Sequence, residues 1–284
     1  MKVIIMKIGI NTMSLTKEFN ADFSGVASYL QSIGCSYLEP MSDFGAKEET
    51  LNFYAGFSGG RSGWDSAGMR TRIAQLREMG IDVQGVFLFD ECLEEQMDEV
   101  GALCQELGIT YGVLSFMNYG ETLASVDGRI ALVKRIGLRL HSYGVQLMVH
   151  THDHDFARLT DHDGVEKPLI QMFLEQTTKE EMQLELDTGW AHYAGLDVAA
   201  YVHDNADRIG ILHLKDLNKN YKNMAHDDVS VACGTGVVDF PAILAAVPEA
   251  QRETMRYVLD QDPSDTDMLA DHTASIRYLN GIMK

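Results

Sequence analysis

Four side chains of the kind that bind metals each end a different segment rich in branched apolar residues. They are His150, Asp187, His213 and Asp260. Two imidazoles and two carboxylates suit a divalent transition metal such as Mn²⁺, Zn²⁺, Co²⁺ or Fe²⁺, with positions left open for substrate or water. A single His or Asp at a strand end commonly has only a structural role. Four of them in sequence order predict a metal site, provided that the fold brings the four segments together.

Three further residues are candidates for catalysis. If residues 145–150 form a strand that continues, His152 shares a face with His150 and is predicted to be a pocket residue or an acid–base group. Lys215 has the same parity as His213 and could stabilise an oxyanion, although a surface lysine paired with Asp216 is the alternative. Glu39 ends the second predicted strand, where a carboxylate either lines a pocket or caps a loop.

Aromatic and cationic residues supply candidates for substrate binding. Trp190 follows Asp187 closely, so it is either a platform for a sugar ring or part of the core. The long segment 41–68 has the composition of a lid over a small ligand. Its candidate binding residues are Arg61 and Trp64, and its other aromatic residues are Phe53, Tyr54 and Phe57.

Short apolar runs alternate with amphipathic segments along the whole chain. Strands are predicted at 8–13, 37–40, 83–89, 111–116, 145–150, 183–187, 209–214 and 256–260. Helices are predicted at 23–33, 69–79, 93–107, 129–143, 169–176, 198–207, 240–247 and 268–283. Eight such units predict an α/β fold, a (β/α)₈ TIM barrel in a single domain over residues 1–284. No GxGxxG motif follows the first predicted strand, and the sequence contains no GxxxxGK[ST] motif. A nucleotide-binding sheet is therefore not favoured. In a barrel, the C-terminal strand ends would carry the chemistry.

Charge and composition limit the partners. The net charge of −19 argues against nucleic acid and against anionic membrane surfaces. No apolar run is long enough to span a bilayer, and the apolar stretch within residues 1–10 is too short for a signal peptide. Four scattered cysteines indicate a reducing, cytoplasmic location. We expect a small-molecule partner, and homo-oligomerisation stays open.

The chain resembles the xylose isomerase-like superfamily, which includes sugar phosphate isomerases/epimerases, inosose dehydratases, hydroxypyruvate isomerases and endonuclease-four-type enzymes. The motifs that carry the resemblance are His150-Thr151-His152-Asp153, Leu186-Asp187-Thr188-Gly189-Trp190, His213-Leu214-Lys215-Asp216, Gly234-Thr235-Gly236-Val237-Val238-Asp239-Phe240 and Leu259-Asp260-Gln261-Asp262. The resemblance implies one divalent metal at the barrel mouth, held by strands five to eight. The usual ligands there are Glu, Asp, His and Glu, so His150 and Asp260 stand where glutamates are common.

The function implied by the resemblance is proton transfer next to a carbonyl of a small carbohydrate, through an enediolate-type intermediate. Reprotonation at a neighbouring carbon would give a sugar isomerase or epimerase. Loss of a β-substituent would instead give a lyase or dehydratase acting on an inosose or keto-glycoside. A third alternative is a sugar-binding barrel without catalysis. A phosphorylated sugar is disfavoured, because the predicted mouth has few cations beyond Arg61 and Lys215.

Overall fold

The computed structural model describes residues 7–120 and 122–283. Its strands are β1 (Ile8–Asn11), β2 (Cys35–Glu39), β3 (Asp82–Val83), β4 (Gly85–Leu88), β5 (Tyr111–Leu114), β6 (Gln146–His150), β7 (Arg158–Thr160), β8 (Glu166–Pro168), β9 (Gln183–Asp187), β10 (Ile209–Leu214), β11 (Asp216–Leu217), β12 (Ser230–Val231) and β13 (Arg256–Leu259). Its α-helices are α1 (Thr16–Ala21), α2 (Phe23–Ile33), α3 (Glu48–Ser58), α4 (Ser66–Glu78), α5 (Leu93–Leu107), α6 (Leu123–His141), α7 (Leu169–Gln176), α8 (Thr188–Tyr193), α9 (Val198–Asn205), α10 (Phe240–Ala246) and α11 (Met268–Ile282).

Local sequence accounts for the ends of many helices. Asp197 and Asp239 accept hydrogen bonds from backbone N–H groups in the first turns of α9 and α10, at 3.0 and 3.1 Å. These carboxylates satisfy donors that lack a partner within the helix. At the other end, Gly34 follows α2 and Gly108 follows α5, with φ of 105° and 68°. Glycine adopts this left-handed conformation without the strain that a Cβ would add.

The parallel strands form a barrel. Nine of the described strands make one sheet in the order β3-β2-β1-β13-β10-β9-β6-β5-β4. Segments β3 and β4 are two parts of the third barrel strand, interrupted at Gln84. The barrel closes where the Phe87 N–H donates to the Pro40 carbonyl at 2.9 Å and the Ser42 N–H donates to the Phe87 carbonyl at 3.2 Å. The predicted (β/α)₈ barrel is therefore confirmed.

Large side chains fill the barrel interior because glycines face them. Tyr37 and Tyr111 are buried in an inner cluster with Met148. A Cβ on Gly9 would lie 2.2 Å from the Tyr37 ring, and a Cβ on Gly85 would lie 1.7 Å from the Tyr111 ring. The interior below the mouth is thus a packed core rather than a channel.

The segment 41–68 differs most from a simple loop. It contains helix α3, in which no residue is fully buried. Leu51 and Tyr54 of this helix are partly buried against the inner cluster, and Phe53, Tyr54 and Phe57 line the mouth cavity. None of the described helices combines the length and apolar character that a bilayer span requires. The signal-peptide expectation falls mainly on residues 1–6, which lie outside the described residues.

Candidate active site

The four predicted metal ligands meet at the C-terminal ends of four adjacent strands. His150 ends β6, Asp187 ends β9, His213 lies in β10, and Asp260 directly follows β13. One ligand atom from each lies within 4.8 Å of those of the others, and all four side chains are buried. Period-two alternation and the shared mouth of the barrel explain why residues so far apart in sequence converge.

A buried glutamate contacts both candidate ligand histidines. Oε1 of Glu185 lies 2.9 Å from His150 Nδ1 and 3.0 Å from His213 Nε2. Both ring nitrogens are positioned to donate to this carboxylate, which leaves His150 Nε2 and His213 Nδ1 with free lone pairs. The orientation is the one in which a carboxylate holds a metal-binding imidazole in the required tautomer.

Glu39, a predicted catalytic residue, lies beside the candidate metal ligand His213. Its Oε1 lies 3.2 Å from His213 Nε2, and the side chain is fully buried. It does not line the mouth cavity. Glu39 therefore contacts a candidate metal ligand and not the space in which a substrate would bind.

The residues present fit a divalent cation. Asp187 Oδ1 accepts from the Trp190 N–H at 2.7 Å and so caps α8, whereas Asp187 Oδ2 is buried without a hydrogen-bond partner. His213 Nδ1 is likewise buried and lacks such a partner, 3.5 Å from Asp260 Oδ2. These free ligand atoms face one another within the cluster. Two imidazoles with two carboxylates form a donor set typical of transition metals, which bind the neutral form of each imidazole.

Burial and charge shift the pKa values of this cluster in opposite directions. Burial raises the pKa of Asp187 to about 7, although Lys215 opposes the shift. Burial holds the pKa of His150 well below its usual range. Burial also lowers the pKa of His213, but Glu185, Asp260 and Glu39 outweigh it and raise the net value. Incoming metal would compete with protons for these ligand atoms.

Lys215 is the buried cation of the site. Its Nζ lies 2.9 Å from Asp260 Oδ2, and 2.9 and 3.0 Å from the two oxygens of Asp262. The same atom lies 4.9 Å from the centre of the Trp190 ring. Burial opposes the charged form, but Asp260, Asp262 and Asp187 together raise the pKa of Lys215. The lysine therefore remains an ammonium group pointing into the mouth, and it does not pair with Asp216 at the surface.

His152 lies at the cavity wall with a free nitrogen. Its Nδ1 is buried and has no hydrogen-bond partner, and burial, helped by Lys215, holds its pKa well below the usual range. The backbone N–H of His152 donates to Asp155, which also accepts from the Tyr119 hydroxyl. These two hydrogen bonds fix the chain at His152 and hold its neutral imidazole at the cavity wall.

The mouth contains a cavity of about 200 Å³. Its lining includes Asn11, Met13, Met41, Phe53, Tyr54, Phe57, Phe87, Ser115, Phe116, His150, His152, Trp190, Lys215, His226, Asp227, Asp260 and Asp262. Trp190 reaches the cavity although it is buried, and its ring stacks on His226 at 4.5 Å between centroids. The ring of Trp190 is thus buried like a core residue and also lines the cavity, as a platform for a sugar ring would.

The structure does not bring Arg61 and Trp64 into this cavity. Trp64 is buried between Phe23, whose ring centroid is 6.3 Å away, and the guanidinium of Arg72. Arg61 forms an ion pair with Glu48 at the start of α3. The chain turns away from the mouth after α3, and both residues anchor that turn rather than a substrate.

Four residues of the site are not among the predicted metal-binding, catalytic or substrate-binding residues: Glu185, Asp155, Asp262 and His226. Glu185 shares strand parity with Asp187, and Asp262 with Asp260, which is the available signal for inward side chains with a supporting role. No local signal places His226, because its contact with Trp190 joins α8 to the segment between β11 and β12.

Fold and site together define a (β/α)₈ barrel with a buried two-histidine, two-aspartate cluster at its mouth. The family model for the xylose isomerase-like TIM barrel matches residues 94–260, more than half of the chain. The chain belongs to this family. No curated protein matches it.

Solved structures share the fold at low identity. A sugar phosphate isomerase/epimerase from Parabacteroides distasonis has a TM-score of 0.75 and 19% identity, over 98% of this chain and 95% of that one. The IolI protein with a zinc atom has a TM-score of 0.68 and 16% identity, over 98% of each chain. The 3-keto-D-glucoside 4-epimerase YcjR from E. coli has a TM-score of 0.65 and 13% identity, over 97% of this chain and 99% of that one.

Proposed function

We propose that this protein is a divalent-metal-dependent sugar isomerase or epimerase acting on a small carbohydrate or keto-sugar. The observation that carries the proposal is the juxtaposition of the four-ligand cluster with a neutral, unpartnered imidazole, His152, on the wall of one small cavity. The sugar isomerases and epimerases among the similar structures support the same class.

His150, Asp187, His213 and Asp260 would hold the ion. When bound, a divalent ion supplies a Lewis acid that polarises a carbonyl and a neighbouring hydroxyl of the sugar. The zinc atom of the IolI protein supports metal binding in this fold, and the choice among Mn²⁺, Zn²⁺, Co²⁺ and Fe²⁺ stays a prediction.

His152 performs the proton transfer between carbons in this proposal. Its Nδ1 accepts the proton from the carbon next to the carbonyl, and the imidazolium returns it to the neighbouring carbon. The proton of the hydroxyl on the first carbon passes to the former carbonyl oxygen, so that the carbonyl and the hydroxyl exchange places. The Lys215 ammonium, held by Asp262, lies close enough to the cavity to stabilise the negative oxygen of the enediolate-type intermediate. Trp190 provides an apolar face beside the sugar ring.

One observation keeps a lyase as the second candidate. Of the described residues that line the cavity, His152 is the one imidazole with a buried nitrogen lacking a partner. A single base that removes and returns a proton on one face suits isomerisation, and it equally suits loss of a β-substituent from an inosose or keto-glycoside. Epimerisation with delivery to the opposite face would require a second acid.

Solvent exchange tests the proposal. Protein loaded with Mn²⁺, Co²⁺ or Zn²⁺ is incubated in D₂O with a panel of ketoses, inososes and keto-glycosides, and products are followed by NMR. We expect deuterium at the carbon next to the carbonyl, with isomer or dehydrated product distinguishing the two candidates. His152→Asn should retain metal and lose exchange by about 10²–10⁴-fold. If the wild type binds a sugar but catalyses no exchange, the proposed catalysis is contradicted, and a sugar-binding barrel without catalysis is the remaining interpretation.

The expected partner is a small carbohydrate. The exclusion of nucleic acid and membrane partners, the open question of homo-oligomerisation and the cytoplasmic location stay predictions from the sequence. The four cysteines are all free in the structure, which supports a reducing compartment.

A further inference from the structure

A second cavity adjoins the mouth cavity. It measures about 950 Å³ and lies between α3, the start of α5 and the side of α6. Phe53, Tyr54 and Phe116 line both cavities. The two spaces are therefore neighbours across a shared aromatic wall, and a ligand whose reacting ring fills the smaller one has room to extend into the larger one. We call this second cavity the outer cleft.

The shared wall is exposed to an unusual degree. Phe53 is 70% exposed and Phe116 is 46% exposed, and Phe57 beside them is 36% exposed. These three are half of the six large apolar side chains that are exposed among the described residues. Exposed aromatic residues gathered at one place are typical of a binding surface, whereas scattered ones need no explanation.

The aromatic rings also have a defined arrangement. The ring of Phe53 meets that of Tyr54 edge-on at 5.4 Å, and Tyr54 packs against Phe89 at 5.2 Å. Phe116 contacts His152 edge-on at 5.4 Å. A ring lying on Phe116 would thus sit next to the proposed proton-transfer residue, and Phe53 lines the same space from α3.

The charges of the outer cleft disfavour an anionic occupant. Four acids line it, namely Asp90, Glu91, Glu94 and Glu95, against the two cations Lys47 and Arg129. Arg129 is already paired with Asp90 at 2.6 Å, and Glu94 is paired with Arg135 outside the lining, also at 2.6 Å, which leaves acids in excess. A phosphate in the cleft would face excess negative charge, so an uncharged group with an apolar face is favoured.

We propose that the outer cleft binds a second ring attached to the reacting sugar, which makes the substrate an uncharged glycoside rather than a free or phosphorylated sugar. The inference rests on the proposed function only for the placement of the reacting ring. The second ring stacks on Phe53 and Phe116 and is either an aryl group or another sugar, since both present apolar faces.

Calorimetric binding to the metal-loaded protein tests this subsite. The probes are phenyl and methyl glycopyranosides in matched gluco, galacto, manno and xylo pairs, together with the corresponding disaccharides and sugar phosphates. In at least one pair, the phenyl compound should bind tenfold or more tightly than the methyl compound. Sugar phosphates should gain nothing over the free sugars. Tighter disaccharide binding would extend the subsite to a second sugar, and its absence would restrict it to aryl groups.

Variants localise the effect. Phe53→Ala and Phe116→Ala should each lower phenyl glycoside affinity by about tenfold, as expected for an aromatic contact at a binding site. Both residues also line the mouth cavity, so methyl glycoside affinity should fall too, but by a clearly smaller factor. Leu138→Ala, at a 51% exposed side chain outside both cavities, is the matched control and should change neither.

The subsite would be overturned if neither the phenyl compound nor the disaccharide bound more tightly than the methyl compound in any series, or if the Phe variants lost equal affinity for phenyl and methyl compounds. These results are separable from the exchange experiment. Exchange on free keto-sugars without a phenyl or disaccharide preference would retain the proposed function and reject the subsite. A phenyl preference without exchange would retain the subsite and reject the proposed catalytic function.

Discussion

His150 Nδ1 lies 2.9 Å from Glu185 Oε1, and both side chains are buried. The same oxygen lies 3.0 Å from His213 Nε2. One carboxylate thus orients both imidazoles of the candidate metal site. A family site with glutamates at positions 150 and 260 would need this support for one histidine, whereas this chain needs it for two.

Glu185→Gln should therefore weaken metal binding by about 10- to 100-fold, the range typical for a lost partner of a metal-binding histidine. The amide keeps the volume but replaces one oxygen with an NH₂ group, which cannot accept from a ring N–H, and its carbonyl oxygen is a weaker acceptor than a carboxylate oxygen. Competition with a fluorescent chelator measures the affinity. Glu175→Gln, at an exposed glutamate of α7, is the control, and an unchanged affinity in Glu185→Gln would refute the orienting role.

His213→Ala and Asp187→Ala should reduce the metal content from about one ion per chain to background, because each removes a ligand at the centre of the cluster. Elemental mass spectrometry of purified protein measures the content. Added metal should raise the Tm of the wild type and not of the variants, since only a bound ion stabilises the folded state. Full occupancy in His213→Ala would contradict the assigned ligands.

Lys215→Met should lower the free energy of unfolding by about 3–5 kcal/mol, because removal of one partner leaves buried carboxylates uncompensated. Urea denaturation of the metal-free protein measures it. Lys179→Met removes an exposed pair with Asp207, 3.4 Å apart, and should cost at most about 1 kcal/mol. Equal effects of the two substitutions would show that Lys215 does not neutralise the site.

His272 should make stability depend on pH. Its ring is buried, its Nδ1 lies 2.7 Å from the Met268 carbonyl, and burial lowers its pKa. The folded protein keeps this imidazole neutral while the unfolded chain binds a proton below about pH 6.5. Its contribution to stability is therefore present above that pH and decreases as the pH falls, by at most about 1.4 kcal/mol per pH unit.

The measurement for His272 is the difference in unfolding free energy between wild type and His272→Gln from pH 7.5 to 5. That difference should shrink as the pH falls. The exposed His203 provides the control, because His203→Gln should leave the curve parallel to the wild type. Parallel curves for His272→Gln as well would contradict the assignment.

The sequence by itself determined the barrel and the convergence of the four ligand residues. Alternating apolar runs place His150, Asp187, His213 and Asp260 at strand ends, and parallel βα units must bring such ends to one mouth. Local chemistry also placed helix ends, as at Asp197 and Asp239, because capping depends on residues only a few positions apart.

Only the tertiary structure decided which side chains touch. The contact of Glu185 with His150 depends on the register between β6 and β9, in which the two residues are directly paired, and register is a property of two strands together. Within the segment 41–68, Phe53 faces the mouth while Trp64 packs against Phe23 and Arg61 pairs with Glu48. Composition predicts a lid in this segment, but the path of the chain after α3 is set by packing between residues distant in sequence.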